Sequence, residues 1–364
     1  MGATLDSTPA ADGWRMPAEW EPHAGCWMAW PYRPDNWRDG AAPAQRAFVA
    51  VAESIAAGEP VSVGVQAEQF ERARAMLPGA VRVVELSTDD AWMRDIGPTF
   101  VTPGAAGSGG LRGVDWRFNA WGGLYEDWTR DERAAEKVLE VEGAGRYRAP
   151  LVLEGGSIHV DGEGTVLTTE ECLLNENRNP ELSREQIERA LCDYLGASKV
   201  IWLGRGVPCD ETDGHVDNLA CFVRPGVVLL AVGEDPDEEM YEVGEDARLR
   251  LQGATDAAGR ELEVLTIPAP GPLYIEPGEA AGVMPRPGTH PRRAGDRLAA
   301  SYVNFYPANS RVVYPLLDER FDERAAEVIA SCFPERELVG VPAREILLGG
   351  GNIHCITQQV PRTS

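Results

Sequence analysis

The sequence predicts an α/β fold built by repetition, and three observations carry that prediction. Runs of β-branched residues alternate with amphipathic stretches along the whole chain. A short segment occurs twice: residues 153–160 and 348–355 share, in register, a leucine, two glycines, an isoleucine and a histidine. The second copy ends in Cys355 where the first has Val160, and the first carries Glu154 where the second has Gly349. Motifs around Asp95, Glu154 and Asp213 stand roughly 60 residues apart, a period that suggests small blades set around a centre.

In chain order, residues 44–57 place apolar side chains at three- and four-residue spacing and predict a helix, with strands over 61–65 and 81–86 after it. A second helix is predicted over 131–141, a strand over 165–169 and a third helix over 183–195, where Ser183 and Gln186 form a capping box. Strands over 199–203, 219–223, 227–232 and 311–316 follow, each β-branched and bounded by Gly, Pro or Asp. Residues 103–113 and 268–291 are rich in Gly and Pro and are expected to be surface loops that could cover a site. No linker or low-complexity segment divides the chain, so one catalytic domain over residues 1–364 is expected, with 1–13 as a flexible tail.

Composition narrows the function. The 364 residues, 43% apolar and 25% charged, have the make-up of a soluble globular protein. A net charge of −24 argues against nucleic acid, which is bound by clustered Lys and Arg, and favours a small cationic partner. No stretch is long enough to span a membrane, and the opening residues lack a basic start and an apolar run, so a cytoplasmic protein is expected. The seven cysteines are scattered, without a CxxC pair or zinc spacing, so no metal is expected. Neither a GxGxxG turn nor a P-loop is present, which excludes the usual dinucleotide and nucleotide sites.

Cys355, behind three glycines and beside His354, reads as a placed nucleophile that needs a base or a positive neighbour. His354 would diverge from it if the segment were a strand, so His354 and its counterpart His159 are expected to be structural. His215 is the better base: in an extended segment Asp213, His215 and Asp217 would share one face. Asp95, Glu154 and Asp217 each stand in a glycine-containing turn or strand end. Several carboxylates beside a thiol suit a planar cation rich in N–H donors, and a guanidinium is such a cation.

These residues lie in segments through which the chain resembles the agmatine deiminases, a family of the guanidine-modifying (pentein) superfamily. The segments are Met16-Pro-Ala-Glu-Trp-Glu-Pro-His23, Asp89-Asp-Ala-Trp-Met-Arg-Asp-Ile-Gly-Pro98, 153–160 with 168–175, Gly214-His-Val-Asp-Asn218, Ala300-Ser-Tyr-Val-Asn-Phe305 and 349–359. Cys26 departs from the more usual Thr and is expected to be a core substitution. The resemblance implies a five-bladed α/β propeller (pentein fold) with pseudo-fivefold repeat and a central active site. It implies a cofactor-free hydrolysis of agmatine to N-carbamoylputrescine and ammonia, in putrescine biosynthesis or agmatine catabolism, and a homo-oligomer, dimer or tetramer. By matched motif Cys355 attacks the guanidinium carbon, and Asp95, Glu154 and Asp217 hold its nitrogens. His215 protonates the leaving ammonia and then activates water against a thiouronium intermediate.

An amine-selective pocket should offer acids and aromatic faces. Glu211 is expected at the amine end, with Trp92 and Trp121 as walls, and Arg94 pointing away by strand alternation. The alternatives are an arginine or peptidyl-arginine deiminase, an amidinotransferase, or a guanidine or polyamine binding protein without catalysis.

Overall fold

The computed structural model describes residues 3–104 and 109–363. Within them, five sheets share one construction: a strand pairs antiparallel with the next, which pairs in parallel with a third. A parallel partner cannot be reached by a tight turn, so a helix makes each crossover. Thr99–Pro103, Arg112–Arg117, the helix Ala134–Glu142 and Gly145–Val152 form one unit. His159–Val160, Thr165–Thr169, Arg184–Leu195 and Lys199–Leu203 form the next. Ala220–Arg224, Val227–Val232, Glu239–Gln252 and Glu263–Pro268 repeat it, as do Tyr306–Ala308, Arg311–Leu316, Asp322–Cys332 and Glu337–Pro342.

The fifth unit joins the two ends of the chain. Gln358–Pro361 pairs antiparallel with His23–Ala29, which leads through the helix Ala42–Ala56 to the parallel strand Val61–Val65. That helix buries Ala44, Phe48, Val51, Ala52 and Ile55, the inward stripe its spacing predicts. Burial of each larger side chain contributes about 1.5–3 kcal/mol. The helix Arg184–Leu195 begins with the Ser183–Gln186 capping box foreseen from the sequence.

Five predicted strands occur with the predicted bounds, and those over 81–86 and 219–223 occur as Arg82–Glu85 and Ala220–Arg224. Cys26 is 1% exposed in the core, where burial pushes its thiol up to about 12. Two expectations are corrected. Of the expected flexible tail, the described residues 3–13 are tied to the fold: Thr4–Leu5 pairs in parallel with Arg146 and Tyr147, and Asp12 accepts hydrogen bonds from Arg112 and Tyr147. The second Gly/Pro-rich stretch is partly ordered by Leu273–Tyr274, paired with Arg297–Leu298, and by the helix Pro277–Ala281. Of the first, residues 105–108 lie outside the described residues. Among the described residues, no helix is long and apolar enough to cross a membrane.

Candidate active site

Each repeat delivers its polar residues from the same place, the turn just before its first strand. The helical turn Met93–Ile96 carries Asp95 ahead of Thr99–Pro103, and Glu154 opens the turn Gly155–Ser157 ahead of His159–Val160. His215 and Asp217 flank the start of the turn Val216–Leu219 ahead of Ala220–Arg224. Asn304 precedes Tyr306–Ala308, and Cys355 precedes Gln358–Pro361. Because the turns are equivalent within the repeat, five distant segments meet at one buried point.

Gly156 marks that point. A Cβ there would lie 2.6 Å from His215 Nδ1 and 2.9 Å from both Asp217 Oδ2 and Asp95 Oδ1, so only glycine leaves the groups this close. Cys355 Sγ stands 3.5 Å from Asp217 Oδ2 and accepts a hydrogen bond of 3.1 Å from Asn304 Nδ2. His215 Nε2 lies 3.5 Å from Glu154 Oε2, and its Nδ1 3.9 Å from Asp95 Oδ1. Arg178 donates to the other oxygen of Glu154 at 2.8 Å. Glu154 Oε2 and Asp217 Oδ1 are buried without a hydrogen-bond partner. Leaving such an acceptor unmet costs about 1–3 kcal/mol, which suits a site completed by a donor-rich ligand.

Electrostatics follow from burial and crowding. Burial, then the Asp217 and Glu154 charges, push Asp95 up to about 6 despite the neighbouring His215. Burial opposes the charge on His215, but Asp95, Cys172 and Glu154 together outweigh it and hold the imidazole well above its usual range. Burial also opposes ionisation of Glu154 and Asp217. Arg178 and His215 reverse this for Glu154, and His354 and His215 for Asp217, so both fall below the usual carboxylate range. Cys355 is held far above an ordinary thiol, first by burial and then by Asp217 and Asp95.

Beside this point a narrow pocket is lined by Trp92, Trp121, Tyr125 and Glu211 together with Asp95 and Cys355. Trp121 donates to Asp95 Oδ2 at 3.0 Å and holds the backbone conformation φ 53°, an uncommon one for a bulky residue. At Gly351 a Cβ would stand 2.6 Å from the Trp92 ring and 3.1 Å from Cys355 Sγ. The third glycine therefore lets the turn that carries Cys355 pass close to the pocket wall.

The structure thus brings together Cys355, His215, Asp95, Glu154, Asp217, Trp92, Trp121 and Glu211, but several reasons for expecting them need correction. His354 and Cys355 lie in a turn, not a strand, and both reach Asp217, His354 through Nδ1 at 2.9 Å. Residues 213–217 are not extended: Asp213 has φ 61° and pairs with Arg178, so the acids facing His215 come from other repeats. Arg94 does turn away from Asp95, because both sit on a helical turn; it pairs with Glu19 at 3.2 Å. Glu211 is not a lone acid, since it is bound by Arg292, which also donates to Asn36 Oδ1 and Gly349 O. Asn304, Arg178 and Glu19 were missed. Asn304 and Glu19 lie in segments already singled out, which was the available signal; the strand that follows Asn304 is too short to be read from the sequence.

Glu154, Cys172 and His215 offer metal-type ligand atoms within 4.8 Å of one another. They fit a metal ion poorly: Arg178 already holds Glu154, and His215 favours its protonated form beside two carboxylates.

A thiol, an imidazole, an amide and three carboxylates delivered by equivalent turns of an α/β repeat define a cysteine-centred site for a planar cation. The profile of the Porphyromonas-type peptidyl-arginine deiminases matches residues 15–361, and the chain belongs to that family. It is 57% identical over 364 residues to an agmatine deiminase of Stutzerimonas stutzeri, covering 98% of each chain. An agmatine deiminase of Pseudomonas aeruginosa is 57% identical over 361 residues, covering 98% of this chain and 97% of that one. The structure of the Enterococcus faecalis agmatine deiminase superposes with a TM-score of 0.96 at 48% identity over all of both chains. That of a C. jejuni agmatine deiminase with substrate bound gives 0.83 at 26% identity, covering 96% of this chain and 97% of that one.

Proposed function

We propose that this protein hydrolyses agmatine to N-carbamoylputrescine and ammonia through a covalent intermediate on Cys355. The observation that carries the reading is the pair of buried, unpartnered carboxylate oxygens, Glu154 Oε2 and Asp217 Oδ1, beside a thiol and an imidazole. A guanidinium supplies the in-plane N–H groups these oxygens lack. Its charge also offsets the carboxylates that, with burial, hold Cys355 as a thiol, so substrate binding favours release of the thiol proton to solvent and leaves the thiolate.

The thiolate adds to the guanidinium carbon, and protonated His215 gives its proton to one amino group, which leaves as ammonia. The remaining thiouronium is attacked by a water whose proton His215, now neutral, accepts. Collapse of the adduct expels the thiolate and leaves the urea product. Asn304 donates to the sulfur throughout.

Agmatine is favoured over arginine because Arg292, which pairs with the pocket residue Glu211, is already committed to Glu211, Asn36 and Gly349. A substrate carboxylate would have to displace Glu211, whereas an ammonium can approach it. The test is ammonia release from agmatine, arginine and N-acetylarginine amide in parallel, with Cys355→Ala as control. Release from agmatine alone, lost in the variant, is expected. Release chiefly from arginine would overturn the substrate assignment, and an active Cys355→Ala would overturn the mechanism.

A further inference from the structure

Behind Asp217, away from the substrate pocket, three ionisable side chains form a chain of buried contacts. His354 Nδ1 lies 2.9 Å from Asp217 Oδ2, and its Nε2 lies 2.9 and 3.0 Å from the two oxygens of Glu19. Both ring nitrogens thus face carboxylates. A neutral imidazole has one N–H and would set a lone pair against one of the acids, so the geometry requires the doubly protonated ring. His159, the matching histidine of the other repeat, is different. Its Nδ1 accepts the Phe222 N–H at 3.2 Å, and only Nε2 turns toward Glu19, at 3.6 Å.

Glu19 is 3% exposed and also takes Arg94 at 3.2 Å. Glu19, His159, His354 and Asp217 line a second, narrow crevice, whose lining shares no residue with the substrate pocket. The contact between Asp217 Oδ2 and Cys355 Sγ, at 3.5 Å, links the two.

We infer that Glu19 and His354 act as positioning residues: Glu19 holds His354 as a cation, and that cation fixes and neutralises one oxygen of Asp217. The inference rests on the reading that Asp217 receives the substrate's guanidinium. Asp217 Oδ2 is the oxygen 3.5 Å from Cys355 Sγ, so a cation on it weakens its repulsion of the thiolate. With Oδ2 taken by His354, Oδ1 is left for the substrate. The charged and titratable groups around the chain are His215, Asp95, Cys355, Arg94, His159 and Cys221, and none but His354 hydrogen-bonds the Asp217 carboxylate through a ring nitrogen.

Burial opposes ionisation of Asp217, and the His354 cation is the largest influence against it. Removing that cation makes Asp217 a weaker acid, and the acid limb of kcat/KM, set in the unsubstituted enzyme by Asp95 at about 6, then moves to higher pH as Asp217 joins it. In His354→Gln we expect this shift together with a loss of kcat/KM of about 10- to 100-fold, the scale of one charge-assisted hydrogen bond. Glu19→Gln should reproduce the shift, and the double variant should be little worse than either single one, because both act through one oxygen. His159→Gln touches Glu19 but not Asp217, so its thermal stability should change and its pH profile should not.

A second readout needs no turnover: in a Cys355→Ala background, His354→Gln should weaken agmatine binding measured by calorimetry. A folded His354→Gln with unchanged pH profile and binding would overturn the inference, as would multiplicative effects in the double variant. Failure of the unsubstituted enzyme to act on agmatine would instead overturn the function on which the inference rests.

Discussion

At Cys355, burial and neighbouring charge oppose the state the residue needs. The thiol is held high by burial and by Asp217 and Asp95, so the free enzyme keeps it protonated. Raising a thiol in this way protects it from oxidants until a cation arrives. The pH dependence of alkylation by iodoacetamide tests the cause. A carboxylate beside the sulfur raises the thiol's pKa, so Asp217→Asn should shift the inactivation curve to lower pH, and an unchanged curve would assign the effect to burial and Asp95. Asn304 works in the opposite sense, since its Nδ2 donates to the sulfur. Asn304→Ala should lower kcat by about 10- to 100-fold, on the scale of a lost hydrogen bond to a charged group. Its thermal midpoint, measured alongside, separates this from loss of the contacts that Asn304 Oδ1 makes with the His354 and Cys355 amides.

At the level of elements, the sequence was most legible where the physics is local. β-branched runs and three-to-four spacing depend on neighbouring residues, and strands such as Thr165–Thr169 and Arg311–Leu316 occur as predicted. The strands His159–Val160 and Tyr306–Ala308 are too short to show a period, and their partners are set by tertiary pairing. The site residues were found from their chemistry, but their geometry was misjudged, because strand alternation was assumed for segments that form turns. Asp213 and His215 show the cost: the flanking acid belongs to Arg178, and His215 takes its acids from the turns holding Asp95 and Glu154. The turn at Gly156 gives the element-scale prediction. Gly156→Ala should fold, yet lose at least about 100-fold in kcat/KM, since displacing site groups by even a fraction of an ångström is costly. Near-native activity in that variant would show that the three groups can move apart freely.

The whole molecule adds two things that no single turn supplies. Pairing Gln358–Pro361 with His23–Ala29 closes the order of repeats, so the turn with Cys355 is brought beside the turn with Asp95, from which the Arg94 amide donates to the Cys355 carbonyl at 3.0 Å. The net charge of −24 surrounds a site already rich in carboxylates, which raises the local concentration of a cationic substrate but also strains the fold by self-repulsion. Salt acts on these two effects in opposite directions. Screening by added salt reaches exposed charges, while Asp95, Glu154 and Asp217 are almost fully buried and shielded from it. Raising ionic strength from about 0.01 to about 0.3 M shortens the Debye length from about 30 Å to less than about 8 Å. Over that range the KM for agmatine should rise, kcat should stay nearly constant, and the thermal midpoint should climb as repulsion is screened. A kcat that fell with KM unchanged would mean that salt reaches the buried carboxylates, and that the pocket is more open in solution than Trp92 and Trp121 make it.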